Sequence, residues 1–270
     1  MLRHSFITPA KYIDTFKNRS SFMLTLSHLI ELNWEPNKYT QAIIDSGKDI
    51  YLDNGVFENW KPEGIDVLVD KLYYLQSLWA KPKVVFLPDE LYNKEATLNN
   101  LIEWNKRYST TIRDRCKTIS CVVVQWSNHK EFIEFIEEIR AMGVGRIALS
   151  YLACVKCFKE ITGTEDVAIN RIEALKHVIS RGFLRVHLLW LWNSLKDIKY
   201  AKDNYDSVTF DITNDSSSAF MTWIRWISYN NNWTIPGWKI KEKVNFDMED
   251  ELSDKQIKNI NKNMIFINNL

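Results

Sequence analysis

A chain of 270 residues with 46% hydrophobic and 26% charged side chains can build a large core and is too apolar for a disordered segment. Its 35 basic and 34 acidic residues leave a formal charge of +1, so a nucleic-acid partner would have to be met by a local basic surface. Met1-Leu2-Arg3-His4-Ser5-Phe6 is no signal peptide, and no run approaches the ~20 apolar residues of a membrane span, which points to the cytoplasm.

Short apolar runs alternate with stretches of helical period along the chain, the pattern of βα units around a parallel sheet. Strands are predicted at 4–8, 22–27, 49–53, 83–88, 118–125, 146–151, 185–191 and 207–212. Between the fifth and sixth, Phe132, Phe135, Ile136 and Ile139 recur at helical spacing behind Asn128, a good N-cap, and ahead of Gly143. That segment reads as a coat helix. Thr164 or Asp166 can open the next helix and Gly182 can close it. An aromatic-rich helix is expected over 216–229 and a last one over 253–267. Eight such units fit one (β/α)8 barrel, for which about 250 residues is ordinary. The barrel is assigned to residues 1–230, and 231–270 to a C-terminal extension packing on it.

Of the four cysteines, Cys116, Cys121, Cys154 and Cys157, only the last two have metal-ligand or redox spacing, and no second pair accompanies them. They read as free thiols, Cys121 as core, and no metal is expected.

The strand ends carry the functional signal. Ile50-Tyr51-Leu52 stops on Asp53 and is followed by Asn54-Gly55-Val56-Phe57. Val84 to Pro88 runs into Asp89-Glu90, Val122 to Val124 into Gln125, and Val208-Thr209-Phe210 into Asp211. In a parallel barrel the C-terminal strand ends converge on one mouth, where such folds place their chemistry. Plainer readings exist for each. Asp53 can shape an Asp-Asn-Gly turn, Asp89-Glu90 can be an acidic pair at a helix N-terminus, and Gln125 an ordinary polar strand end. His28 and His187 read as satisfied barrel histidines, and Trp126, Trp190 and Trp192 taken singly as packing.

Taken in order, these motifs resemble the tRNA-guanine transglycosylase family, and more closely its compact bacteriophage relatives that insert 7-deazaguanines into DNA. Leu26-Ser27-His28-Leu29 resembles a second-strand segment of that family, and Leu52-Asp53-Asn54-Gly55-Val56-Phe57-Glu58 its Asp-Ser-Gly-Gly-Phe-Gln motif. Pro88-Asp89-Glu90 resembles its Asp-Glu-Cys segment, Val124-Gln125 its Val-Gln-Gly, and Phe210-Asp211 its Phe-Asp-Cys. The resemblance implies exchange of a base on an intact strand: a carboxylate attacks C1′, guanine leaves, and the incoming base displaces the carboxylate. It implies Asp211 as nucleophile and Asp53 as general acid/base. Asp215, which opens an Asp-Ser-Ser-Ser stretch, is the alternative nucleophile, and Asp206 is set aside as lying at the strand's entry. Asp89 and Gln125 would read the guanine-like edge, with Phe57 stacking on the base.

The chain departs from the family in three places. Ser150-Tyr151-Leu152 stands for Gly-Gly-Leu and Trp190-Leu191-Trp192 for Gly-Val-Gly, so Ser150 and Trp190 would reshape the base pocket. The Cys-X-Cys-X-X-Cys zinc motif has no counterpart, which shifts the expected partner from tRNA to DNA. The resemblance therefore implies a DNA-guanine transglycosylase in a phage-infected host cell, with a 7-cyano or 7-aminomethyl 7-deazaguanine as the incoming base and no cofactor. A tRNA-type enzyme and a non-catalytic barrel binding nucleic acid or base are the alternatives. Lys239, Lys241 and Lys243, mixed with Trp233 and Trp238, are candidates for phosphate contacts. Oligomeric state is left open, a homodimer included.

Overall fold

A computed structural model describes residues 2–55, 62–80, 82–189, 194–216 and 251–270, and of 155–157 the backbone alone. Eight strands occupy Arg3–Phe6 (β1), Met23–Leu26 (β2), Ile50–Asp53 (β3), Pro82–Phe86 (β4), Ile119–Val124 (β5), Ile147–Leu149 (β6), Arg185–Leu188 (β7) and Asp211–Ser216 (β8). They form one sheet in the order β1-β8-β7-β6-β5-β4-β3-β2, every hydrogen-bonded pair parallel. The chain is a (β/α)8 barrel, as the alternation of strands and helices predicts.

The seam between β1 and β2 is closed largely by serines in place of a backbone ladder. Ser5 Oγ accepts from Leu24 N–H at 2.8 Å and Ser20 Oγ from Phe6 N–H at 3.0 Å, while Ser21 N–H donates to the His4 carbonyl. Each hydroxyl satisfies a main-chain donor that would otherwise be buried without a partner.

The coat includes helices Lys38–Asp45 (α1), Ile65–Ser77 (α2), Lys94–Arg107 (α3), His129–Ala141 (α4), Tyr151–Cys157 (α5), Val167–Ser180 (α6), Lys196–Asn204 (α7) and Asp254–Asn268 (α8). Their starts follow from capping chemistry. Asn37, Asn93, Asn128 and Asp166 each accept a hydrogen bond from the first turn of α1, α3, α4 and α6, and Ser253 with Gln256 forms a capping box on α8. Gly143 and Gly182, with φ of 73° and 90°, supply the left-handed turns that end α4 and α6. Helix α8 buries Ile260, Met264 and Ile267 in the barrel's outer core, and Arg19 Nε binds Asn261 at its side.

Two apolar layers explain why the strands read as unbroken apolar runs. Cys121 and Val123 of β5 face the barrel interior with Phe22, Leu24, Tyr51, Val84 and Phe86, whereas Val122 and Val124 face the helices with Ile147, Leu149 and Val186. Burial pushes the Cys121 thiol up to about 12, as expected of core sulfur. Cys116, Cys121 and Cys154 are free thiols.

The last strand departs from expectation. It was expected over 207–212 and is observed at Asp211–Ser216. The apolar-looking Ser207-Val208-Thr209-Phe210 is a turn: Asp206 Oδ1 accepts from the N–H groups of Val208 and Thr209, and Val208 is 97% exposed. Asp-Ile-Thr-Asn-Asp-Ser has little intrinsic strand preference. Its ladders to β1 and β7, together with buried partners for its polar side chains, override that preference. Ile212 and Asn214 turn outward, where Asn214 Nδ2 lies 2.8 Å from His4 Nδ1. Asp211, Thr213 and Asp215 line the interior.

Candidate active site

The shift of β8 moves the expected nucleophile. Asp211 sits at the strand's first residue, in register with Arg185 at the start of β7, and so lies at the closed bottom of the barrel and not at its mouth. There it meets two arginines: Arg3 Nη2 at 2.7 Å and the buried guanidinium of Arg146. Burial would raise the Asp211 pKa, but the charges of Arg146 and Arg3 outweigh it and hold the carboxyl below its ordinary value. Arg3 also donates to the Tyr51 hydroxyl at 2.9 Å, tying β3 into the same cluster. Asp211 is an ion-pair anchor on the face of the barrel where stability, not chemistry, is expected to reside.

Asp215 occupies the mouth end of the same strand. It is 2% exposed and accepts from His187 Nε2 at 2.9 Å. His187 is fully buried, edge-on to Phe86 at 4.9 Å, and its Nδ1 lies 2.8 Å from Thr213 Oγ1. Burial lowers the His187 pKa against the opposing pull of Asp215, which favours the neutral ring.

Asp53 ends β3 on the same inward face as Tyr51, and is half-buried. Its Oδ2 accepts from Gly55 N–H at 3.0 Å, the turn contact foreseen for Asp-Asn-Gly, and Gly55 has φ 71°, a conformation that suits glycine. The carboxylate therefore shapes the turn while standing at the rim. Asn54 turns into the protein, donating from Nδ2 to the Leu87 carbonyl at 2.7 Å and to Asp89 Oδ1 at 2.6 Å.

Asp89, beyond β4, is completely buried between two amides. Asn54 holds Oδ1, and Gln125 Nε2 donates to Oδ2 at 2.6 Å. Desolvation raises the Asp89 pKa to about 6 in spite of those donors. Gln125 is fixed from its other side by Tyr92 N–H, which donates to Oε1 at 3.2 Å, and Tyr92 adopts φ 61° to do so. Ser150, after β6, is 5% exposed and caps α5 by accepting from Ala153 N–H.

The structure thus gathers Asp53, Asp89, Gln125, Ser150 and Asp215 at the C-terminal ends of five strands, and separates Asp211 from them. Phe57, Trp190, Lys239, Lys241 and Lys243 lie outside the described residues, as does the helix expected over 217–229. Asn54, His187 and Thr213 were missed as site residues. The available signal was strand parity: Thr213 and Asp215 share a face once β8 is placed, as do His187 and the end of β7. Among the described residues no group of three His, Cys, Asp or Glu is disposed to hold a metal ion, and no helix is long and apolar enough to cross a membrane.

No protein-family profile and no curated protein matches the chain. Among solved structures it is similar to a family 2 AP endonuclease from Brucella melitensis, with 11% identity and a TM-score of 0.50 over 83% of this chain and 98% of that one. It is also similar to the arginine decarboxylase of Paramecium bursaria Chlorella virus, with 11% identity and a TM-score of 0.42 over 79% of this chain. A psychrophilic family 10 endo-β-1,4-xylanase gives 9% identity and 0.46, over 80% of this chain and 86% of that one. The chain spans 56% of the length of the viral decarboxylase. None of the three is named as a transglycosylase, and at these identities the likeness is one of fold.

Proposed function

We propose that this barrel is a base-exchange transglycosylase that replaces guanine in DNA with a 7-deazaguanine, the 7-cyano or 7-aminomethyl form, through a covalent glycosyl intermediate on Asp215. The observation that carries the reading is the meeting of two different carboxylate environments at one mouth: Asp53 and Asp215 at strand ends, and Asp89 buried between two amides. Two carboxylates beside a sugar can serve as nucleophile and as proton carrier, and both stabilise an oxocarbenium-like transition state.

Asp215 attacks C1′ and guanine departs, with Asp53 supplying a proton to the leaving base and later recovering one from the incoming base. Asp89 is well suited to a guanine-type edge. Its carboxylate accepts from Asn54, Gln125 and its own backbone N–H and still has lone-pair capacity for a base N–H, and the second Nε2–H of Gln125 can meet a base carbonyl. A base brought there has to leave its stack, as in other enzymes that act on nucleobases within nucleic acid. The preference for DNA over tRNA rests on the missing zinc motif alone.

The test is incubation of the purified protein with guanine-containing DNA, and separately with tRNA, in the presence of 7-cyano-7-deazaguanine, followed by nucleoside mass spectrometry. Deazaguanosine in DNA, retained by a folded Asp211→Asn variant and lost with Asp215→Asn, supports the reading. Exchange in tRNA alone moves it to the RNA branch. Binding of base or DNA without exchange in either polymer replaces it with a binding subunit.

A further inference from the structure

Between Asp211 at the bottom and Asp215 at the mouth runs an unbroken column of side chains along the barrel interior. Arg146 pairs with Asp211 and reaches Thr213 Oγ1 from Nη1 at 3.4 Å. Thr213 Oγ1 lies 2.8 Å from His187 Nδ1, and His187 Nε2 lies 2.9 Å from Asp215 Oδ1. Phe22, Tyr51 and Phe86 pack around the imidazole.

Donor arithmetic fixes the direction of this column. The Asp215 carboxylate can only accept, so the hydrogen between it and His187 sits on Nε2. A neutral imidazole with its hydrogen on Nε2 accepts at Nδ1, where the Thr213 hydroxyl donates, leaving its oxygen free to accept from Arg146. The geometry points to His187 as a positioning residue, its Nε2–H set by the Asp215 carboxylate and its Nδ1 anchored by the Thr213 hydroxyl, that pins one oxygen of Asp215 and so orients the carboxylate for attack. This role rests on the assignment of Asp215 as nucleophile.

The experiment compares the full chain with His187→Leu, His187→Gln, Thr213→Val and Thr213→Ser. It reads kcat and KM for 7-cyano-7-deazaguanine on DNA, and the ring 15N signals of the histidine-labelled protein. Expected are an Nε2–H signature for His187 in the parent and in Thr213→Ser, and in Thr213→Val an Nδ1 signal shifted by the loss of its donor. Thr213→Val and His187→Leu lower kcat by about 10- to 100-fold at unchanged KM, the scale on which misorientation of a reacting group is felt. Thr213→Ser stays close to the parent, and His187→Gln, which keeps an N–H donor, recovers part of the loss. An Nδ1–H tautomer in the parent overturns the inference, as does a folded His187→Leu that exchanges base at the parent rate. A parent with no exchange at all sinks the transglycosylase reading instead, and the 15N signature then decides the column separately.

Discussion

Asp211 and Asp215 point into the barrel from one strand and stand about 13 Å apart along it, at four residues of 3.3 Å each. One is bound to two arginines at the bottom and the other to a histidine at the mouth, so the strand's register gives two aspartates of the same inward face opposite surroundings.

Substitution separates those duties. Asp211→Ala leaves Arg146 buried with no carboxylate opposite it, and losing one partner of a buried pair costs about 3–5 kcal/mol. Asp211 is one-third exposed on its side chain, which places the expected loss at the lower end, read as a reduced urea midpoint. Asp215→Asn keeps an oxygen for His187 and should unfold within about 1 kcal/mol of the parent, while exchange falls by at least about 10³-fold, the scale for removal of a nucleophile. A variant pattern with those two outcomes reversed would return the nucleophile to Asp211.

The barrel and the mouth residues Asp53, Asp89 and Gln125 were legible because apolar strands ending on a polar group leave a strong trace in sequence. Strand β8 left none. Its polar residues are matched to partners far away in the chain, Thr213 to Arg146 and His187, and Asn214 to His4, and no local pattern encodes such pairings. Val208-Thr209-Phe210 carried the stronger strand signal and belongs to a turn capped by Asp206. Local propensity therefore places the strand four residues too early, and partner chemistry moves it to Asp211–Ser216. His187 is satisfied, as its place in a barrel strand predicts, and its partners are Thr213 and Asp215 of β8.

Two perturbed carboxyls of the barrel, Asp211 and Asp89, give stability opposite dependences on pH. Asp211 has a folded pKa below its unfolded value near 3.8, so its contribution is present above about pH 4 and is lost as pH falls through the folded pKa. Asp89 is raised from 3.8 to about 6, so between those values the folded state holds a proton that the unfolded chain has released. Stability from this group therefore declines as pH rises from about 4 to about 6, by on the order of 2–3 kcal/mol, and is flat beyond. Urea unfolding of Asp89→Asn and the parent across pH 4–7 checks the sign: the difference between them should change over that interval and not above it.

Asn54 serves two acceptors with one amide. Replacing it with alanine strips a donor from Asp89 Oδ1 and from the Leu87 carbonyl, each within the protein interior. Leaving buried acceptors unpaired costs about 1–3 kcal/mol apiece. The same change removes a group that favours the Asp89 carboxylate, so the pKa of Asp89 should rise further. Measured by the carboxyl 13C shift against pH, an Asp89 midpoint that falls in Asn54→Ala would contradict this account.

The far side of the mouth offers a test of how β7 is held in place. Arg171 of α6 and Asp197 of α7 form an ion pair in which both side chains are 1% exposed, and Arg171 Nη1 also donates to the Leu189 carbonyl just past β7 at 2.5 Å. Either single change, Arg171→Met or Asp197→Leu, strands a buried charge and should cost about 3–5 kcal/mol. The double change removes both charges together, so the desolvation penalty disappears with the attraction, while the Leu189 carbonyl and the Ile198 N–H lose their partners, about 1–3 kcal/mol for each left buried and unpaired. The double variant should therefore be more stable than either single one in urea unfolding. If the two losses simply add, the pair is not the interacting unit that its geometry describes.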